Sequence, residues 1–264
     1  MALYANARMY ALNAAVTAAW RTVFARVGER AGIDLQWLEH PPPKPLAELW
    51  QRDDVGCVFI CGYPWSTWRG ERRPVPLAVP RPSNPLSTGR PHYWSDIVVR
   101  GDSRFTSLDD LHGARMAYTI VDSQSGYQAL RTMLTERAQG APLFGSTVGP
   151  LVTPRRVVDA VLAGDADGGP LDSYWHDLLR RHEPDVAARL RVVARTPSTP
   201  MPFLAAAAAV PADVRARLSA ALLAVPVDAD ALQINGFAAV DAAGYGLLAQ
   251  RAVQADRAGY SRLA

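Results

Sequence analysis

Short apolar runs alternate with helically spaced apolar positions over the first sixty residues. Apolar side chains between residues 14 and 32 recur at helical intervals, and Gly32 is a typical helix-terminating residue. The predicted elements are strand 2–10, helix 14–32, strand 33–38, helix 46–51 and strand 55–60. This order predicts a parallel sheet that is covered by helices on both faces.

A second alternating region follows a long loop. Residues 64–91 are rich in Pro, Arg, Gly and Ser, with one short strand candidate at 75–79. The elements predicted beyond it are strand 93–99, strand 115–121, helix 126–137, helix 154–163, helix 174–190, strand 191–195, helix 212–224 and a partly amphipathic helical stretch over 241–263. Residues 196–203 contain three prolines and are predicted to be a return crossing of the chain.

Composition sets the size and class of the protein. The 264 residues are 49% hydrophobic and 20% charged, which is enough apolar surface for a compact fold of two modest domains. The 28 basic and 25 acidic residues form no basic stripe, so we expect no nucleic-acid partner. No apolar run reaches the roughly 18 residues of a membrane helix, so we expect no membrane insertion. Asn13 and Thr17 interrupt the mildly apolar start, which predicts a first strand and helix rather than an export signal.

Three sequence patterns that could indicate a disulfide, a metal site or a cofactor site have simpler explanations. Cys57 and Cys61 lie in one predicted strand, about 13 Å apart, too far for a disulfide. Asp165 and Asp167 are typical of a helix end and turn rather than a metal site. Gly244 begins a loose dinucleotide fingerprint that no second strand can follow. We therefore expect no metal, no cofactor and no catalytic centre.

The segment Ser123-Gln124-Ser125-Gly126-Tyr127 lies between a predicted strand and a predicted helix. Backbone N–H groups and hydroxyls at a helix N-terminus form an anion site, and glycine allows a ligand to approach the backbone closely. The alternative is that a serine of this segment only caps the helix.

Asp172 follows a predicted strand, at the position where open parallel sheets meet their ligands. A carboxylate beside a bound anion favours an anion that carries a proton, such as phosphate or a phosphonate, over sulfate. The alternative is that Asp172 or Ser173 caps the helix that begins at Tyr174.

Three tyrosines lie at or near the ends of predicted strands and are further candidates for ligand contacts: Tyr10, Tyr63 and Tyr93. A phenol can cover a ligand and donate a hydrogen bond to its oxygen. Each of them can equally be a core or surface aromatic. His92 is a fourth candidate, although a single histidine in a loop is usually solvated.

Five segments resemble, in this order and spacing, the phosphate/phosphite/phosphonate-binding branch of the type II periplasmic binding proteins. They are Cys61-Gly62-Tyr63-Pro64, residues 93–100 (YWSDIVVR), residues 107–113 (SLDDLHG), residues 123–127 (SQSGY) and residues 161–173 (VLAGDADGGPLDS). The resemblance spans about residues 55–205. The sequence departs from it at Gln124, where many relatives carry threonine.

The resemblance implies a two-lobed α/β fold with a central cleft and two hinge crossings. The first lobe would comprise residues 1–95 and 199–264, and the second residues 96–198. It also implies a small anionic ligand held in the cleft, with Tyr63 and Tyr93 facing it. We expect the protein to be a monomer. Such a protein would serve an ABC permease from the periplasm. The cytoplasm is the alternative, because the first residues do not resemble an export signal.

Two other functions remain open on these residues. One is a cytosolic sensor or a binder of a different small molecule, such as a thiamine-precursor pyrimidine. The other is an enzyme of hydrolysis or decarboxylation that uses Asp172 or His92 as acid or base.

Overall fold

The computed structural model describes residues 2–137 and 143–264. The β-strands are β1 (Leu3–Asn6), β2 (Leu35–Trp37), β3 (Val55–Ile60), β4 (Val75–Pro82), β5 (His92–Tyr93), β6 (Ser95–Arg100), β7 (Arg115–Ala117), β8 (Ser146–Val148), β9 (Gly168–Asp172), β10 (Leu190–Arg195), β11 (Thr199–Pro200), β12 (Phe203–Ala206) and β13 (Ile234–Ala238). The α-helices are α1 (Ala14–Ala31), α2 (Leu46–Trp50), α3 (Gly62–Ser66), α4 (Ala129–Arg137), α5 (Pro154–Ala163), α6 (Ser173–His182), α7 (Pro184–Ala187), α8 (Ala212–Ala224), α9 (Ala229–Leu232) and α10 (Gly246–Arg257).

The chain forms two compact units. Unit 1 comprises Met1–His92 and Pro200–Gly244, and unit 2 comprises Tyr93–Thr199 and Tyr245–Ala264. The crossings expected near residues 95 and 198 lie at 92/93 and 199/200, where β5 and β11 pair as a two-stranded sheet. A third crossing lies at 244/245.

Unit 1 is built on a six-stranded sheet in the order β13-β4-β12-β3-β1-β2. Strands β1, β2 and β3 are parallel, whereas β12 runs antiparallel to β3 and β4. Helix α1 begins after Asn13, whose side chain accepts a hydrogen bond from the amide of Val16, and it ends at Gly32 with φ +63°. Its Trp20 packs edge-on against Phe59 of β3 with ring centroids 5.0 Å apart. The strand-helix-strand order predicted for this region is therefore correct.

Unit 2 is built on a five-stranded sheet in the order β10-β6-β9-β7-β8. Strands β7, β8 and β9 are parallel, and β6 runs antiparallel to β9. The carboxyl ends of β7 and β9 and the start of β6 consequently meet at one edge of this sheet. The segments that follow these strand ends carry the candidate site.

Residues 245–264 belong to unit 2 and not, as expected from the sequence, to the first lobe. Ala255, Tyr260 and Leu263 are buried in the same apolar core as residues of β6, β7 and α4. The buried guanidinium of Arg131 donates to the carbonyl of Tyr260 at 2.6 Å and forms an ion pair with Asp256. The two bonds of Arg131 join residues more than 120 positions apart in the sequence. Because of these contacts, the C-terminal segment packs on unit 2 instead of returning to the first lobe.

Two predicted helices have different limits in the structure. The helix expected over 174–190 is divided into α6 and α7 at Pro184, since proline cannot continue a helix from the preceding turn. The helix expected from residue 126 begins at residue 124 with a π-helical turn, Gln124–Gln128, and continues as α4. Within the described parts of the chain, no helix has both the length and the apolar character to cross a membrane.

Candidate functional site

A helix N-terminus faces the carboxyl edge of the unit 2 sheet at residues 123–128. Ser123 is the N-cap, and its Oγ accepts a hydrogen bond from the amide of Gly126 at 3.0 Å. The amide of Gln128 donates to the carbonyl of Ser123 at 3.0 Å, which sets the wider π register. The first-turn amides point out of the helix and give its end a partial positive charge. The capping role foreseen for a serine is thus real.

The side chains of this turn differ in how far they are buried. Ser123 and Ser125 are half-buried, whereas Gln124 is 2% exposed. Tyr127 packs into the unit 2 core beside Tyr118, with ring centroids 5.2 Å apart, and burial raises the pKa of its phenol. The Tyr127 side chain is therefore part of the core, and only its amide belongs to the turn.

Gly126 is required by its neighbours. A Cβ at this position would lie 1.9 Å from the Oγ1 of Thr119 and 2.9 Å from the Oγ of Ser123. Thr119, which lies just beyond β7, also donates its amide to the carbonyl of Gly126 at 3.4 Å. The absence of a side chain at Gly126 therefore lets two hydroxyls approach the first turn.

Asp172 caps helix α6, as the alternative interpretation foresaw. Its Oδ1 accepts hydrogen bonds from the amides of Tyr174 at 2.9 Å and Trp175 at 3.1 Å, and the residue is 6% exposed. Both of these bonds go to the same oxygen and fix the first turn of α6.

Ser95 connects Asp172 to the 123–128 turn. In the sheet it lies directly opposite Asp172, and its hydroxyl donates to the carbonyl of Ser125 at 2.8 Å. Ser173, the first residue of α6, forms two hydrogen bonds with Trp94. Its amide donates to the carbonyl of Trp94 at 2.9 Å, and its Oγ accepts from the amide of Trp94 at 3.2 Å. The 123–128 turn and the start of α6 at Asp172 thus lie side by side.

The tyrosine candidates have different environments. Tyr10 is 1% exposed and packs edge-on against Phe59 in the unit 1 core, with centroids 4.9 Å apart. Tyr63 is half-buried on α3, directly after β3 of the same unit. Tyr93 is 1% exposed at the start of unit 2. His92 is half-buried, and burial followed by the charge of Arg90 lowers the pKa of its imidazole. Only Tyr93 shares a unit with the turn and Asp172.

Sequence reasoning missed a buried carboxylate beside this site. Asp96, whose side chain is 2% exposed, accepts hydrogen bonds from Trp94 Nε1 at 2.9 Å, His176 Nδ1 at 2.8 Å, and Arg180 and Arg195 at 3.2 Å each. The available signal was an acidic residue inside an otherwise apolar strand, because such a residue is rarely buried without partners. This network fixes the start of β6 against α6 and β10.

A cleft with a volume of about 310 Å³ lies at the opposite edge of the unit 2 sheet. Arg115 on its wall donates to Asp167 and to the carbonyls of Gly164 and Asp165, each at 2.9 Å. These bonds stabilise the end of α5, so this guanidinium has a structural role. Among residues 2–137 and 143–264, no three His, Cys, Asp or Glu side chains are grouped to hold a metal ion.

A sequence family described as "ABC transporter, phosphonate, periplasmic substrate-binding protein" matches residues 10–245. None of the curated protein sequences matches the chain.

Several solved structures share the fold. PhnD1 from Prochlorococcus marinus in complex with methylphosphonate has a TM-score of 0.78 and 13% identity, covering 97% of this chain and 98% of that one. A binding protein component of an ABC phosphonate transporter from Pseudomonas aeruginosa, PA3383, has a TM-score of 0.76 and 16% identity, covering 97% and 87%. XAC2383 from Xanthomonas citri, bound to chloride, has a TM-score of 0.66 and 20% identity, covering 97% and 98%. The predicted fold class, the two-lobed α/β fold of type II periplasmic binding proteins, is therefore confirmed.

Proposed function

Because this chain belongs to the periplasmic substrate-binding family of ABC phosphonate transporters, we propose that it captures phosphate, a phosphonate or a related small oxyanion and presents it to an ABC permease. The family is one of solute-binding proteins and not of enzymes, as the sequence predicts. Its periplasmic description supports the periplasm as the place where the chain works.

The 123–128 turn supplies the groups that would bind the anion. Amides of the first helical turn and the hydroxyls of Ser123 and Ser125 would donate hydrogen bonds to the ligand oxygens. The partial positive charge of the helix end favours an anion there and needs no lysine or arginine. This assignment predicts that replacing either serine weakens binding.

Asp172 would select among anions. Phosphate and phosphonates have a second pKa near about 6, so one oxygen can still carry a proton that a carboxylate accepts. Sulfate carries no such proton, and its oxygens would face the carboxylate as a second set of acceptors. The observation that carries this proposal is the position of Ser95, opposite Asp172 in the sheet and bonded to Ser125.

Thermal unfolding and calorimetric titration with methylphosphonate, phosphate and sulfate test the proposal. At about 100 times its dissociation constant, a ligand stabilises the native state by ~2.7 kcal/mol. For a chain of this size that is a rise in melting temperature of roughly 5 to 10 °C. We expect this rise with methylphosphonate or phosphate and a smaller one with sulfate.

The variant Asp172→Asn removes the charge that would select among anions but keeps the helix cap, because asparagine caps a helix about as well as aspartate. We expect it to narrow the preference for phosphate over sulfate. The matched control is Asp228→Asn, since Asp228 caps α9 of unit 1 through a 2.9 Å bond from the amide of Ala231. Equal stabilisation of the wild type by sulfate and phosphate, or an unchanged preference in Asp172→Asn, would reduce Asp172 to a helix cap.

A further inference from the structure

Thr119 carries a hydroxyl that the protein leaves unused. The residue is 5% exposed, and its Oγ1 is buried without a hydrogen-bond partner among residues 2–137 and 143–264. Its main chain is engaged, since its amide donates to Gly126 and its carbonyl accepts from the amide of Val152 at 3.0 Å. A buried hydroxyl without a partner is destabilising, whereas a methyl group of the same size would not be. A hydrogen bond that forms only when a ligand is bound would explain why this position carries a hydroxyl.

The position of this hydroxyl relates it to the candidate site. A side chain at Gly126 would tilt toward the N-terminus of the helix, because Cα–Cβ bonds in a helix point in that direction. The Oγ1 of Thr119 lies 1.9 Å from that Cβ position, and the Oγ of Ser123 lies 2.9 Å from it. Both hydroxyls thus converge on one point at the positive end of the helix.

A strained segment holds Thr119 there. Val152 has φ +69°, a left-handed conformation that a β-branched residue rarely adopts. Its amide donates to the carbonyl of Thr119, and the amide of Leu151 donates to the carbonyl of Tyr118 at 3.1 Å. Strained backbone of this kind concentrates at binding sites. The residue with the unused hydroxyl is therefore also fixed in place by an unfavourable backbone conformation.

Ser123 is the natural partner. A serine hydroxyl has one hydrogen to donate and two lone pairs to accept. The Oγ of Ser123 accepts one hydrogen bond, from the amide of Gly126. A second bond, from Thr119, would leave its own hydrogen for an anion, and chains of hydrogen bonds strengthen one another.

We propose that Thr119 is a positioning residue that acts through Ser123. When phosphate or a phosphonate binds at the turn, the Thr119 hydroxyl donates to Ser123 Oγ and directs the hydrogen of Ser123 toward the ligand. This inference rests on the proposed function, because it requires an oxyanion at the turn.

Affinity measurements on a double-mutant cycle test it. The variants are Thr119→Val, Ser123→Ala and the pair, titrated with methylphosphonate and inorganic phosphate. Thr119→Val should weaken binding about five- to tenfold, as the loss of one hydrogen bond does. Its melting temperature without ligand should be unchanged or higher, because valine removes the unused hydroxyl. Thr119→Ser keeps the hydroxyl and should bind close to the wild type.

The cycle separates the explanations. If Thr119 acts through Ser123, Thr119→Val should cause no further loss in the Ser123→Ala background. An unchanged affinity of Thr119→Val, or an equal loss in both backgrounds, would overturn the inference and leave the proposed function intact. A wild type that binds neither anion would overturn both.

Discussion

The hydroxyl of Ser95 donates a 2.8 Å hydrogen bond to the carbonyl of Ser125, across 30 positions of the chain. Ser95 is fully buried and follows the first crossing between the units by two residues. Its amide donates to Thr196 Oγ1 at 2.9 Å, and its carbonyl accepts from the amide of Thr196 at 3.0 Å. One residue therefore links the 123–128 turn to the segments that lead into the crossings at 92/93 and 199/200.

Ser95→Ala should weaken anion binding, because the carbonyl of Ser125 loses the bond that holds the turn in place. We expect a loss of about 1 kcal/mol in unfolding free energy and several-fold weaker binding of phosphate or methylphosphonate. Chemical denaturation and calorimetric titration measure the two effects. Ser219→Ala is the matched control, since Ser219 donates a 2.7 Å bond to the carbonyl of Leu77 in unit 1. If both variants bind with the same affinity, the Ser95 bond has no part in binding.

Asp96 predicts how the protein responds to acid. Burial alone raises the pKa of this carboxyl, but hydrogen bonds from His176 and Trp94 and the charge of Arg180 hold the pKa below its ordinary value. A carboxyl with a lowered pKa contributes stability that is present above its unfolded pKa, about 3.9, and is lost as the pH falls through the folded pKa. We therefore expect the contribution of Asp96 to be complete at neutral pH and to disappear below about pH 4.

Asp96→Asn tests this dependence by unfolding measurements between pH 3 and 7. Removing the charge leaves buried donors without their anionic partner, which costs about 3 to 5 kcal/mol at neutral pH. The difference from the wild type should shrink in acid. The control is Asp102→Asn, which removes an exposed carboxylate paired with Arg100 and should change stability little. A difference that stays constant from pH 3 to 7 would contradict the assignment.

Arg131 predicts how residues 245–264 are attached. Its guanidinium is 5% exposed and donates to Gln128 Oε1 at 2.6 Å as well as to Tyr260 and Asp256. Arg131→Met should cost about 1 to 3 kcal/mol and release this segment first, because the buried carbonyl of Tyr260 loses its donor. Limited proteolysis and amide hydrogen exchange at residues 245–264 detect the release. Arg257→Met, which changes an exposed arginine of α10, should behave like the wild type.

Sequence signals that act over a few residues were sufficient to predict part of the fold and part of the candidate site. Asn13 and Gly32 delimit α1 through a cap and a left-handed terminator, and both effects act over a few residues. The same holds for Ser123 and Asp172, whose residue types and positions after strands predict helix N-termini. Pro184 also carried a local signal, a break between α6 and α7, which the helical spacing of its neighbours obscured.

The remainder depends on contacts between distant positions. Ser95 and Thr119 have ordinary sequence surroundings, and only the sheet order places them beside Asp172 and Gly126. The return of residues 245–264 to unit 2 depends on a core assembled from five separate stretches of chain. Strand β4 contains three prolines, which argue against a central strand, yet it pairs with β12 and β13 through irregular registers.

The third crossing has a consequence for biosynthesis. A ribosome makes residues 93–199 before residues 200–244, and only then makes Ala255, Tyr260 and Leu263, which fill the core around Leu130 and Met116. Until these residues are translated, that core exposes apolar side chains and the guanidinium of Arg131 has neither Tyr260 nor Asp256 to bind. Neither unit can complete its folding before the other has been largely synthesised. If translation stopped near residue 244, the released chain would contain the candidate anion site but would lack the residues that complete the unit 2 core beneath it.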